Sequence, residues 1–275
     1  MNDRTITFIG GGNMARSLIG GLVADGYPAD RIRVADPSEK HRDELTGRFG
    51  IRAYASNEEA ADGAEAIVLA VKPQVVKTVA EPLGERIRAQ GSVVISIAAG
   101  LREPDIRRWL GGDAAVVRTM PNTPSMVQTG ATALYANANV TAEQRNLAES
   151  LLRAVGVTEW LDDEALMDAV TAVSGSGPAY FFLLMEMIED AGVDLGLPRE
   201  KARLLTLETA LGAARMALES DETPARLRER VTSPNGTTDA ALSTLEDGDV
   251  RALYGRALKA AAKRAQEIGD MLGEQ

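Results

Sequence analysis

The feature that most constrains this chain is its start. Thr5–Ile9 is a short strand-like run that passes directly into Gly10-Gly11-Gly12 and then into a helical pattern lasting to about Asp25. A strand that ends in glycines and reopens as a helix turns tightly, at the carboxyl edge of a sheet. The alternation then recurs. Arg31–Ala35, Ala66–Val71, Val93–Ile97, Ala115–Arg118, Thr132–Tyr135 and Val157–Leu161 read as strands separated by helical stretches. Ala66–Val71 is apolar throughout and Val93–Ile97 is apolar but for Ser96, as expected of strands buried on both faces. The repetition predicts an α/β architecture with a mostly parallel, doubly wound sheet.

The pattern changes near Asp162. From there on no strand is evident, and helical stretches cover roughly 164–173, 178–191, 198–219, 224–231, 238–246 and 250–272. Pro178, Pro198 and Pro224 stand where helices start, as their fixed φ and missing N–H favour. The expected division is 1–162 for the sheet-based domain and 163–275 for an all-helical domain. Ala179–Ile188 (AYFFLLMEMI) is apolar on almost every face, and Leu204–Leu218 is rich in Leu, Ala and Met. A helix apolar all round must be covered all round. A second copy of the chain is the natural cover, which predicts a homo-oligomer with an intertwined helical interface.

Composition removes whole classes of chemistry. There is no cysteine, so no disulfide, thiolate nucleophile or Cys-ligated metal is available. The one histidine, His41, makes a conventional metal site or Ser-His machinery untenable, so no metal is expected. Thirty basic against forty acidic residues give a net charge of -10, which argues against a nucleic-acid partner. The beginning lacks a signal peptide's basic start and apolar stretch, and no apolar run approaches a membrane span, so a cytoplasmic protein is expected.

Two segments carry candidate chemistry. Phe8-Ile9-Gly10-Gly11-Gly12-Asn13-Met14-Ala15 fits G-x-G-x-x-A between a strand and a helix. In that motif the first Gly makes the tight turn, the second lets backbone approach a pyrophosphate, and Ala15 keeps helix and strand close. Free N–H groups at the helix start then face the anion. Asp36, 21 positions beyond Ala15, ends the second strand, where an acidic residue bonds the ribose 2′-OH of NAD. Ser38 and Lys40 follow at once and suit a 2′-phosphate, so spacing does not choose between the two cofactors. Ala70-Val71-Lys72-Pro73 and Ser96-Ile97-Ala98-Ala99-Gly100 end later strands at the same edge, the latter with small residues that leave room for a nicotinamide ring.

The second segment is Val231-Thr232-Ser233-Pro234-Asn235-Gly236-Thr237-Thr238-Asp239. Turn formers and hydroxyls ahead of a helix suit a small carboxylate, through successive N–H groups and the helix dipole. Spacing alone equally describes an ordinary loop with Thr as N-cap, which is the commoner case. Ser174-Gly175-Ser176-Gly177-Pro178-Ala179-Tyr180 joins two helices and reads either as a flexible joint or as a close approach of backbone to ligand.

Taken together these segments resemble pyrroline-5-carboxylate reductase. The stretches that match are FIGGGNMA (8–15), AVKP (70–73), SIAAG (96–100), MPNTP (120–124), SGSGPAYFF (174–182) and VTSPNGTT (231–238), in order along the chain. The resemblance implies a Rossmann domain followed by a helical dimerisation domain, with interlocked dimers that in many members assemble into decamers. It implies hydride transfer from NAD(P)H to C5 of 1-pyrroline-5-carboxylate, giving L-proline. NADP(H) is the favoured cofactor, with NAD(H) left open. The implied cofactor contacts are Ile9, Gly10, Gly11, Gly12, Asn13, Met14, Asp36, Ser38, Asn57, Ala70, Val71, Lys72, Pro73, Ala98 and Ala99. The implied substrate contacts are Ser233, Gly236, Thr237 and Thr238, with Asp221, where relatives often carry Glu, and Ser176. Thr238 is the implied catalytic residue, beside the imine nitrogen. Asn235 stands where many relatives have Gly, a change that a turn tolerates.

A cyclic imine takes up a proton far more readily than a carbonyl, so a site without histidine is sufficient for it. Two other readings compete. A hydroxyacid dehydrogenase with a helical second domain would need a helix-borne lysine, and Lys201 is the only lysine between residues 78 and 258. A nucleotide sensor would bind dinucleotide without needing a second anion loop. His41 is expected at the surface, without a catalytic role.

Overall fold

The computed structural model describes residues 4–274. Eight strands form one sheet: β1 (Ile6–Ile9), β2 (Ile32–Ala35), β3 (Arg52–Tyr54), β4 (Ala66–Leu69), β5 (Val93–Ser96), β6 (Ala115–Met120), β7 (Gly130–Ala136) and β8 (Gly156–Trp160). Their order is β3-β2-β1-β4-β5-β6-β7-β8, and every neighbouring pair is parallel except β6 with β7. That pair is joined only by residues 121–129, with a 3₁₀ turn at Thr123–Val127. The link is shorter than the dozen or so residues a parallel crossover needs, so the chain doubles back.

The helices are α1 (Asn13–Ala24), α2 (Glu39–Phe49), α3 (Asn57–Ala61), α4 (Pro73–Ala80), α5 (Gly84–Gln90), α6 (Glu103–Trp109), α7 (Ala142–Arg153), α8 (Met167–Val170), α9 (Gly177–Asp194), α10 (Arg199–Glu219), α11 (Pro224–Arg230), α12 (Thr237–Asp247) and α13 (Val250–Gly273). The two-residue period of the strands feeds two cores. Ile6, Phe8, Val68 and Ile95 face one way, against Leu18, Ile19 and Leu22 of α1 and Leu147, Leu151 and Leu152 of α7. Ile9, Ile67, Leu69 and Val94 face the other, against Val76 of α4, Ile87 of α5 and Ile106 of α6. This is why β1, β4 and β5 are buried at every position. Each such Ile, Leu or Phe side chain stabilises the fold by about 1.5–3 kcal/mol.

Of the strands, β3 escapes the sequence reading. It has three residues, Arg-Ala-Tyr, none of them buried, on the edge of the sheet beside β2. So short and polar an edge strand leaves no periodic signal.

The chain divides into two compact units. One runs through Ser176 and resumes at Ala261; the other is Gly177–Ala260. The stretch beyond Asp162 stays with the sheet through an ion pair of low exposure, Arg118 to Glu164 at 2.8 Å, whose carboxylate also accepts the Glu103 N–H at 2.6 Å. Tyr135, near this cluster, has its phenol pKa raised by burial and by Glu164, Glu103 and Asp163.

The Ser174–Tyr180 segment is helical. Thr171–Gly175 form a π-helical turn, with the Ser176 N–H donating to Thr171 O at 2.8 Å, and the backbone runs on into α9. Pro178 supplies the physical reason. It lacks the N–H that would pair with the carbonyl four residues back, and its ring crowds that carbonyl. The carbonyl belongs to Ser174, and the Asn122 side-chain amide donates to it at 3.1 Å. The widened turn and the outside donor together accommodate the proline.

In the second unit α9 and α10 pack against each other. Gly196 (φ +99°) closes α9, and Pro198 precedes α10. The outer faces of this pair stay open: Phe181, Phe182 and Leu211 are each 63% exposed and Leu218 is 87% exposed.

Candidate functional site

β1, β2, β4 and β5 are parallel and in register, with Ile9 opposite Ala35 and Leu69, and Leu69 opposite Ser96. Their carboxyl ends therefore share one edge. The strand order reverses between β1 and β4, where ligands bind in sheets of this kind. The residues that follow those strands gather there: Gly10–Asn13, Asp36–Ser38, Ala70–Pro73 and Ala98–Ala99. β3 ends at the same edge, and half-buried Asn57 opens α3 just beyond it, after the Ser56 cap.

The glycine turn is fixed by its neighbours. Gly10 has φ +101°, and a Cβ there would lie 2.7 Å from Ala70 O and 2.9 Å from Val71 Cγ1. Its N–H donates to Ala35 O at 2.8 Å. Gly12 is different. It is the extended N-cap of α1, a Cβ on it would meet nothing within 4 Å, and it offers no side-chain cap. The first-turn N–H groups of α1, with the positive end of the helix dipole, thus face open space. Asn13 is exposed, Met14 is half-buried and Ala15 is buried in the core.

Asp36 is 7% exposed, and its carboxylate is occupied. It accepts from Gly11 N at 2.8 Å and from Ser38 N at 2.9 Å, and His41 Nδ1 lies 3.2 Å away. Ser38 Oγ caps α2 by accepting from His41 N. The Arg42 guanidinium donates to the carbonyls of Asp36 and Pro37 at 2.7 and 3.1 Å. Asp36 thus ties the glycine turn to the end of β2. Lys72 is exposed at the N-cap of α4, with Pro73 as the first helical residue. Ala98 is buried and Ala99 exposed.

The second loop lies in the helical unit, between α11 and α12. Asn235 takes the left-handed conformation (φ +58°), which Asn tolerates better than most residues. Its N–H donates to Asp239 Oδ2 at 2.9 Å, and Gly236 N donates to Ser233 O at 2.9 Å. Gly236, not a threonine, is the N-cap, and no side chain caps the helix. The ordinary threonine-capped loop is therefore not what forms. Thr237 and Thr238 are the first two helical residues, and their hydroxyls are left out of capping. Ser233 and Thr237 are exposed and Thr238 is half-buried.

The remaining assignments fall on other elements of the chain. Asp221 is exposed on the bend before α11, while the neighbouring Glu222 pairs with Arg230 at 2.6 Å, one residue short of the loop. Ser176 is half-buried at the end of the π turn. Lys201 is exposed in the first turn of α10. Among the described residues no His, Asp or Glu cluster has the makings of a metal site. The sequence reading missed Asn122, which accepts from Ala131 N at 2.9 Å while holding Ser174 O. Its only signal was membership of MPNTP.

Comparison with known proteins bears on both halves. Residues 164–268 match the family model described as pyrroline-5-carboxylate reductase dimerisation, and residues 5–100 match the one described as NADP oxidoreductase coenzyme F420-dependent. The chain is 53% identical over 274 residues to a pyrroline-5-carboxylate reductase of Pseudomonas aeruginosa, with 100% of both chains covered. A solved pyrroline-5-carboxylate reductase from Coxiella burnetii is similar with TM-score 0.93 and 48% identity, over 96% of this chain and 98% of that one. The Plasmodium falciparum pyrroline carboxylate reductase, crystallised with NADP bound, is similar with TM-score 0.87 and 30% identity, over 98% of this chain and 99% of that one.

Proposed function

The chain belongs to the pyrroline-5-carboxylate reductase family, and from that premise we propose that it reduces 1-pyrroline-5-carboxylate to L-proline in the cytoplasm, with NADPH preferred and NADH accepted. The observation that carries this reading is the pair of helices whose starts are capped by glycine backbone alone, α1 after Gly12 and α12 after Gly236. Each presents uncapped N–H groups to an anion. The first suits the pyrophosphate of a dinucleotide and the second the carboxylate of a small cyclic imine.

The open space at Gly12 and the small side chains of Ala98 and Ala99 fit a nicotinamide dinucleotide. When bound, that cofactor supplies hydride from C4 of its nicotinamide to C5 of the imine, while the ring nitrogen ends as the amine of proline. The chain's own residues orient. Ser233, Gly236, Thr237 and Thr238 hold the substrate carboxylate, with Asp221 and Ser176 in the same substrate set. The Thr238 hydroxyl donates to the imine nitrogen or passes it a proton from water; its pKa is too high for it to act as a free acid. An imine is protonated easily enough for such a donor to suffice.

NADPH preference is supported by the occupied state of Asp36. A carboxylate engaged by two N–H groups and a histidine is poorly placed to take up a ribose 2′-OH. Ser38 and Lys40, which follow Asp36 at once, are the groups that suit a 2′-phosphate. The helical region 163–275 serves dimerisation and substrate binding, in an interlocked dimer that goes on to a decamer. The exposed aromatic and aliphatic faces of α9 and α10 support self-association.

The direct experiment follows NADPH and NADH oxidation by purified protein on addition of pyrroline-5-carboxylate, in wild type and in Thr238→Ala. Wild type should turn over both, NADPH with the larger kcat/KM. Thr238→Ala should lose about 10²-fold in kcat, the scale of a lost positioned donor. An unchanged kcat and KM in that variant excludes the role given to Thr238. Absence of turnover with cofactor still bound excludes the reaction.

A further inference from the structure

The loop from Ile97 to Arg102, between β5 and α6, carries Ala98 and Ala99; Ala98 and Leu101 are buried in the core beside Leu69 and Val94 of the sheet, but few backbone hydrogen bonds tie the loop to the strands. The Ile97 N–H reaches Leu69 O at 3.2 Å, and Ala98 N has only a long 3.4 Å bond to Ser96 Oγ. Gly100 then takes φ +82°. Its outer side is backed by the far end of α13, whose residues from 261 onward belong to the same compact unit.

Five residues of α13 dock it. Leu272 (5% exposed) is buried in one core cluster with Ala98, Leu101 and Ile106, and Ile268 packs against that cluster. A Cβ on Gly100 would meet Ile268 Cγ2 at 2.8 Å, so the loop backbone lies directly on that side chain. A Cβ on Gly269 would lie 3.1 Å from Arg102 Nε and 3.2 Å from Gly100 O, so the helix backbone comes equally close to the loop. Arg102 clamps the approach, pairing with Asp270 at 2.8 Å and donating to Gln266 O at 3.4 Å.

We propose that Ile268 and Leu272, with Arg102 as the clamp, are positioning residues for the Ala98–Leu101 loop, and that through it they set the place of the nicotinamide end of the cofactor. The proposal rests on the reading above that Ala98–Ala99 receive that ring. An alanine at 268 leaves Gly100 without its backing, and the loop then relaxes by a fraction of an ångström into the space. Hydride transfer is sensitive to displacements of that size, and a misplacement near 1 Å costs about 10²-fold. Asp36 and Ser38, at the β2 end of the sheet edge, would hold the adenosine half, outside this effect.

The test uses the full chain with Ile268→Ala and, in case that variant folds poorly, Arg102→Gln. For each, NADPH affinity, affinity for 2′,5′-ADP (the adenosine half alone), kcat and thermal midpoint are measured. The expected result is a kcat at least tenfold lower and a weaker Kd for NADPH, with the Kd for 2′,5′-ADP within twofold of wild type. A lower thermal midpoint with kcat and NADPH affinity unchanged overturns the proposal and leaves a purely structural contact. Equal loss of 2′,5′-ADP and NADPH affinity also overturns it, because the effect is then not confined to the nicotinamide end. Wild type that binds 2′,5′-ADP and NADPH equally tightly shows instead that the nicotinamide end is not held at all, which removes the reading beneath the proposal.

Discussion

The two glycine-capped helix starts are chemically alike and built on unlike foundations. At α1 the turn sits on the edge of a sheet packed on both faces, and Gly10 is walled in by Ala70 and Val71. At α12 the turn stands on a helical unit whose large apolar side chains are widely exposed. It is shaped by its own short-range bonds, Asn235 to Asp239 and Gly236 to Ser233. The first turn is therefore fixed by contacts within a single chain. The second is held by local hydrogen bonds, in a unit whose α9 and α10 leave large apolar side chains exposed.

That contrast can be broken most severely from the platform side. Leu211→Glu puts a charge on the open α10 face, and burying it costs several kcal/mol. The expected outcome is a protein that sediments as smaller species, with imine turnover down by at least about 10²-fold and 2′,5′-ADP binding retained. Retention of full activity by a dissociated protein shows that the α12 loop needs no cover on α9 and α10.

Gly10→Ala tests the other side. It combines a positive φ with a collision against backbone, for a loss of about 2–5 kcal/mol in stability. Denaturant unfolding checks this, and dinucleotide binding should disappear along with it. Gly236→Ala is the matched change in the second cradle. Gly236 has φ −85°, and the nearest atom to an added Cβ is Ser233 O at 3.0 Å. The expected cost is about 1 kcal/mol or less in stability, with a rise in the substrate KM and little change in NADPH binding. Equal losses for the two glycines show that the second turn is as tightly held as the first.

The smallest effect is expected of Asn235→Gly. The residue already holds φ +58°, so glycine relieves strain while adding disorder to the unfolded chain, and the two nearly offset. Stability should move by no more than about 0.5 kcal/mol and kinetics hardly at all. A large loss of substrate affinity assigns the Asn235 side chain a contact that its position alone does not reveal.

How much was legible follows the same line. The central strands could be read because parallel strands covered on both faces are written in almost wholly apolar runs, and the helices of the second half because prolines punctuate them. Edge strand β3 was invisible because nothing in Arg52–Tyr54 is buried. The glycine turn was legible because its geometry excludes other residues at position 10. At Pro178 the sequence suggested a break, and the fold instead widened one turn and supplied Asn122 from elsewhere. Asp36 was recognised by its spacing, but that its carboxylate would be spent on Gly11 and Ser38 was not.

Sequence alone therefore determined the class of fold, the two candidate anion loops and the excess apolar surface of α9 and α10, since these depend on local conformation and on period. Tertiary structure decided what each polar group is bonded to: Asp36 to the glycine turn, Arg118 to Glu164, Asn122 to Ser174, and Arg102 to the end of α13. These partners are separated by 25 to 168 positions in the chain. No local pattern encodes such pairings, which exist only once burial has brought the groups together and made leaving them unpaired costly.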